Sequence, residues 1–165
     1  MAALTAAAQR RVRRLDSGPV LSSRVANTDT IYVGSFTGWP GANALTSRRG
    51  YLTTYRNEVN FIWAGIARPS SATNSLSATN TVVGDTTASP VVEISVDMGA
   101  LILEQYTVTG VSAQTDVART AVYATTDNDL TTTSGYPNAV GRVIYWYSST
   151  TADVWLYGFL AGIVI

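Results

Sequence analysis

Apolar and polar positions along this chain alternate in short runs, and the runs are separated by clusters of Gly, Pro, Asn, Asp, Ser and Thr. Short strands between turn signals spaced about 8–12 residues apart predict an all-β sandwich or barrel. The pattern is clearest between Ala118 and Tyr157. Thr120–Ala124 is a short run of β-formers, and Asp127-Asn128-Asp129 supplies a turn, because Asx side chains bond their own backbone. Gly135–Asn138 makes a second break. From Ala139 to Tyr147 the apolar residues form an almost continuous strand, with Val140, Val143, Ile144, Tyr145, Trp146 and Tyr147. Ser148–Thr151 turns the chain into a last strand that begins at Val154-Trp155-Leu156-Tyr157.

Upstream, Thr30–Trp39 reads as one strand ended by Pro40-Gly41, and Tyr51–Tyr55 as another. Asn60–Ala67 is mostly apolar, which implies burial on both faces or at an interface. Residues 69–90 are a long loop of Ser, Thr, Asn, Ala and Gly, within which Thr81–Val83 is expected to pair. Val92–Asp97 alternates as a half-buried strand that puts Glu93 and Asp97 on the solvent side. Met98-Gly99 turns into Leu101–Glu104, and Thr107–Val111 follows.

The N-terminus differs. Ala2–Leu15 is built from Ala, Leu, Gln and Arg and has helical propensity, ended by Asp16-Ser17-Gly18-Pro19. Val20–Asp29 reads as an extended linker. The chain thus divides into a basic arm and linker over residues 1–28 and an all-β domain over residues 29–165. A lone helix of this length is marginal in water, so the arm either orders against a partner or is a frayed, solvated terminus. No apolar core follows the Arg cluster, which argues against a signal peptide.

Charge sharpens this division. The net charge is zero, yet residues 1–24 hold five Arg against one acid, while the remainder holds six Arg against ten acids. All eleven basic residues are Arg, a side chain suited to hydrogen-bonded and interfacial pairing. Only 13% of residues are charged, so the surface is expected to be solvated by hydroxyls and partly occupied by partners. With no Cys and no His, disulfides, thiolate metal sites and imidazole acid–base chemistry are unavailable.

Asp127 and Asp129 have the look of a calcium pair, but the Gly and the distal Glu of such a loop are missing, so a turn is the better reading. No phosphate loop, nucleophile elbow or zinc spacing occurs, and the reading is of a chain that is not an enzyme and needs no cofactor or metal. Tyr145-Trp146-Tyr147 and Trp155 offer two uses, core or subunit packing and a platform for sugars or bases. The last twelve residues carry no charge but are too short to span a bilayer. They read as a final strand, or as a tail from Phe159 that packs into a neighbouring subunit.

Thr120–Thr131, Ala139–Ile144 and Ala152–Leu156 together resemble the C-terminal cadence "pVYasdDdtltlt … iGrVv … vwV" of tailed-phage head decoration (cement) proteins. Thr30–Gly34, Gly50–Leu52 and Phe61–Ala67 are similar to that family's "iyeGalv", "Gyl" and "FaGia" elements, in the same order. The similarity covers roughly residues 30–157; the basic arm, the Ser/Thr loop and the apolar tail depart from the pattern. It implies a small β-barrel, β-tulip-like or sandwich domain with an extended or partly helical arm. It further implies a homotrimer on the outside of the virion capsid that clamps major capsid protein subunits and does no chemistry. On that reading Arg10, Arg11, Arg13, Arg14 and Arg24 dock on the capsid, while Trp155, Tyr157, Phe159, Leu160, Ile163 and Ile165 support subunit contacts. Membrane contact is not expected and nucleic acid is disfavoured. The alternatives are a virion protein that binds nucleic acid through the arm, predicting strong salt dependence, and a glycan-binding head-fibre module.

Overall fold

The computed structural model describes residues 11–14, 20–41, 51–55, 61–68, 81–85, 87, 92–112, 120–135 and 139–158. All the regular structure among them is β: β1 (Val12–Arg14), β2 (Val20–Arg24), β3 (Thr30–Tyr32), β4 (Phe36–Trp39), β5 (Thr53–Thr54), β6 (Ile62–Arg68) and β7 (Thr81–Val83). β8 (Glu93–Asp97), β9 (Leu101–Thr109), β10 (Ala121–Ala124), β11 (Leu130–Thr131), β12 (Ala139–Ser148) and β13 (Thr151–Leu156) complete the series.

The C-terminal half makes a small closed β-barrel. β9, β11, β10, β12 and β13 are neighbours in that order, and β13 pairs back onto β9, so the ring of strands closes. Closure removes the open edges that such apolar strands would otherwise expose. Alternation fills the interior: Leu101, Leu103, Val122, Val140, Val154 and Leu156 belong to one buried core cluster. β12 can lie close to β13 because position 141 has no side chain; a Cβ on Gly141 would stand 2.3 Å from the Trp155 carbonyl oxygen.

A second, five-stranded sheet runs β2-β8-β6-β4-β5. Its two outer strands are joined where Leu52 bridges Val25 in parallel fashion. β3 and β7 form a separate two-stranded ribbon. A second core cluster, including Val25, Ile31, Leu52, Ile94 and Val96, holds these elements together. The two halves are fastened by specific bonds as well as by packing. Trp63 Nε1 donates to the Tyr157 carbonyl at 3.0 Å. The Phe36 N–H donates to the Asp127 carbonyl at 2.7 Å, and Ser35 Oγ donates to Asp127 Oδ2 at 3.1 Å. Across the same junction the Phe36 ring packs against Tyr106 of β9, with centroids 6.2 Å apart.

Several sequence expectations are corrected. Val12–Arg14 is a strand, not a helix: it pairs antiparallel with Leu101–Leu103, and pairing with a neighbour overrides a weak local propensity. Val20–Arg24, expected as linker, pairs along its whole length with β8. The predicted strand Thr30–Trp39 is split by a turn at Val33-Gly34, where Gly34 takes φ +92° and the Ser35 N–H bonds the Tyr32 carbonyl at 3.0 Å. Its two halves consequently enter different sheets. Leu101–Glu104 and Thr107–Val111 are instead one long strand through Thr109, bent at Gln105. Asp97 does not face solvent. It is 5% exposed, 3.6 Å from Arg68 Nη1, and its Oδ1 accepts the Gly99 N–H at 3.3 Å. The tail from Phe159 lies outside the described residues.

Candidate functional site

The outer surface of the barrel gathers several of the residues that the sequence singled out. Directly opposed residues on neighbouring strands point to the same face. Arg142 on β12 opposes Trp155 on β13, Trp155 opposes Ile102 on β9, and Ile102 opposes Arg13 on β1. The result is a row across four strands, Arg142–Trp155–Ile102–Arg13. Trp155 is 37% exposed, and its ring meets Tyr157 edge-on at 5.6 Å. Arg142 Nε donates to the Tyr157 hydroxyl at 2.7 Å. At the other end Arg13 Nε lies 3.4 Å from Glu104 Oε1, an exposed pair that orients the guanidinium and adds little stability.

Further along the same face stand Tyr145 and Tyr147, whose ring centroids are 4.7 Å apart. They are placed by β12 itself, whose register against β13 shifts twice, between Val143 and Tyr145 and between Trp146 and Ser148. Tyr145 opposes Asp153. The Tyr147 hydroxyl donates to Asp153 Oδ2 at 3.3 Å, and the Gln105 N–H donates to Asp153 Oδ1 at 2.7 Å. Gln105 reaches this geometry at φ +50°, a left-handed conformation that costs a non-glycine residue about 1–2 kcal/mol. Arg11 Nη1 bonds the Gln105 side-chain carbonyl at 3.4 Å. Desolvation first, and then the Asp153 carboxylate, hold the Tyr147 phenol above its ordinary pKa.

The second carboxylate pair is built into the scaffold. The Asp127 carboxylate takes the Ser35 hydroxyl, and Asp129 Oδ2 takes the Thr126 hydroxyl at 3.1 Å. Thr126 Oγ1 in turn accepts the N–H groups of Asn128 and Asp129 at 3.2 and 3.1 Å, and Tyr106 donates its hydroxyl to the Asn128 carbonyl. This is the predicted turn, and it ties the barrel to β4. Among the described residues no three His, Cys, Asp or Glu side chains come together as a metal site, and no helix is long and apolar enough to cross a membrane.

Of the predicted docking residues, Arg13 ends the row and Arg11 is exposed beside it. Arg14 lies on β1 in register with Leu101. Arg24 is exposed on β2, opposite Glu93 in the other sheet, and does not join them. Arg10 lies outside the described residues. Of the predicted subunit-contact residues, Trp155 is in the row and Tyr157 packs against it, while Phe159, Leu160, Ile163 and Ile165 lie outside the described residues. Sequence reasoning passed over Arg142, Gln105 and Asp153 as site residues. The strand register could have signalled Arg142; nothing in the sequence signals the positive φ of Gln105.

Comparison with known protein families, with curated proteins and with solved structures finds no match.

Proposed function

We propose that this chain is a structural protein of a tailed-phage head. In this reading it binds the outer surface of the mature capsid as a homotrimer and stabilises contacts between major capsid protein subunits, without catalysing a reaction. The observation that supports it is the row Arg142–Trp155–Ile102–Arg13, which brings the basic arm and the aromatic last strand together on one face, with Arg13, Arg142 and Trp155 exposed over a buried Ile102. Trp, Tyr and Arg dominate the energetics of protein–protein contacts, and Arg and Trp occupy both ends and the middle of this row. The closed barrel presents them on a rigid surface, so little ordering opposes binding. A protein that binds only the expanded lattice stabilises that lattice by mass action, and several copies linked in one assembly multiply a modest affinity.

Co-sedimentation with nuclease-treated capsids lacking the protein tests the reading. The full chain is expected to bind saturably, and Trp155→Ala to weaken binding roughly tenfold or more, the scale of losing a buried aromatic anchor. Absence of binding to capsids overturns it. Retention on naked DNA instead, with affinity falling steeply in salt, supports a nucleic-acid-binding virion protein.

A further inference from the structure

Tyr145 and Tyr147 lie beyond the row assigned to docking, and that reading gives them no task. They are 53% and 43% exposed, with rings tilted at 59° to each other. Next to them sits Asp153, 8% exposed, whose carboxylate is fixed by the Gln105 N–H on one oxygen and the Tyr147 hydroxyl on the other. Each carboxylate oxygen keeps a second lone pair for another donor. Around them stand amide and hydroxyl groups, Gln105, the opposed pair Thr107 and Thr151, and the turn from Ser148 to Thr150, with the Arg11 guanidinium on the far side of Gln105.

We propose that this patch is a binding site for an uncharged saccharide, with Tyr145 and Tyr147 stacking on the C–H face of a sugar ring and Asp153 and Gln105 receiving its hydroxyls. A pyranose ring offers an apolar face and an equatorial belt of hydroxyl groups, and the patch offers the complement to both. Size favours a sugar over a protein. Two fully covered aromatic side chains bury roughly 300–500 Å², and Tyr145 and Tyr147, 53% and 43% exposed, have about half of that to offer a ligand, well short of the ~800 Å² that each side of a standard protein interface buries. Charge favours a neutral ligand. The Asp153 carboxylate is bonded by two neutral groups, and the nearby Arg11 guanidinium reaches Gln105 Oε1 at 3.4 Å, so an anionic sugar would meet the Asp153 charge at close range. The rigid strand pair β12–β13 holds the two rings in place before any ligand arrives. The site uses none of the four residues of the docking row and stands whether or not the chain decorates a capsid.

The test is an array of glucose-, galactose-, mannose- and N-acetylglucosamine-terminated oligosaccharides printed beside sulfated and sialylated ones, probed with the full chain. Titration calorimetry with the strongest neutral glycan follows. Retention of neutral glycans is expected, with affinity reduced roughly tenfold or more in Tyr145→Ser, the scale of losing one stacking ring. Val83→Ser, at an exposed position on β7, is expected to bind like the unaltered chain. Tyr145 is exposed, so its replacement leaves the core untouched, and an unchanged melting temperature verifies this. A silent neutral array, retention confined to anionic glycans, or undiminished binding by Tyr145→Ser would each overturn the proposal.

Discussion

Replacing Gly65 by Ala tests whether the second sheet depends on close backbone contact between β6 and β8. Gly65 has φ +153°, and a Cβ built there would lie 1.9 Å from the Asp97 carbonyl oxygen and 3.2 Å from Val96 Cγ1. Carbon and carbonyl oxygen meet at roughly 3.3 Å, so β6 and β8 must separate by more than about 1 Å at this point. The movement strikes the pairs Ile66↔Asp97 and Ala67↔Val96, and also the bond from Thr37 Oγ1 to the Gly65 carbonyl at 3.0 Å. Overpacking of this kind costs about 1–3 kcal/mol, and the backbone conformation adds about 1–2 kcal/mol for any L side chain. The expected loss of about 2–5 kcal/mol is a large fraction of the ~5–15 kcal/mol that holds a domain folded. Gly135→Ala separates the two contributions, because Gly135 also has positive φ (+127°) but has nothing within 4 Å of its would-be Cβ. That variant is expected to lose only the strain, about 1 kcal/mol. Urea unfolding followed by tryptophan fluorescence measures both, with buried Trp63 reporting from two residues away. Equal losses in the two variants would refute the clash argument.

Three further outcomes follow from polar groups. Ser35→Ala removes a hydroxyl donor to the Asp127 carboxylate, which is 4% exposed, and is expected to cost about 1.5–3 kcal/mol in urea unfolding. Trp146 Nε1 is buried without a hydrogen-bond partner. Trp146→Phe therefore removes an uncompensated donor and is expected to stay within about 1 kcal/mol of the unaltered chain, whereas Trp146→Ala loses about 3 kcal/mol. Tyr147 has a folded pKa raised above 10.0, so the folded state holds this proton more tightly than the unfolded state does. Its contribution to stability is complete below pH ~10 and is lost as pH rises through the raised value. Tyr147→Phe is accordingly expected to show a smaller fall in urea midpoint between pH 9 and 11.

What could be read from the sequence, and what could not, divides along the range of the forces involved. Local patterning is a property of neighbouring residues, and it placed β8 and β12 within a residue of their observed bounds, while β13 starts at Thr151, inside the stretch expected to turn. The turn at Asp127–Asp129 was legible for the same reason, since Asx and Thr side chains bond backbone within a few positions of themselves. Strand pairing is a property of residues far apart in sequence. Arg13 and Ile102 are brought opposite each other by the edge of β9, and no local signal in Ala2–Leu15 could weigh that edge against helical propensity. Asp97 shows the same limit. Alternation put it on the side of Glu93, but the end of β8 is covered by Arg68 from β6, and the carboxylate is buried where a free strand would have exposed it. The candidate surface joins both kinds of information. Its aromatics were visible as types in Tyr145-Trp146-Tyr147 and Trp155, while their grouping with Arg142, Gln105 and Asp153 depends on register shifts in β12 and one left-handed residue in β9. A single change of register would move Tyr145 and Tyr147 apart from Asp153, because a one-residue slip turns each side chain to the opposite face. The function of this face is therefore set by the barrel's closure, which locks that register on both sides of β13.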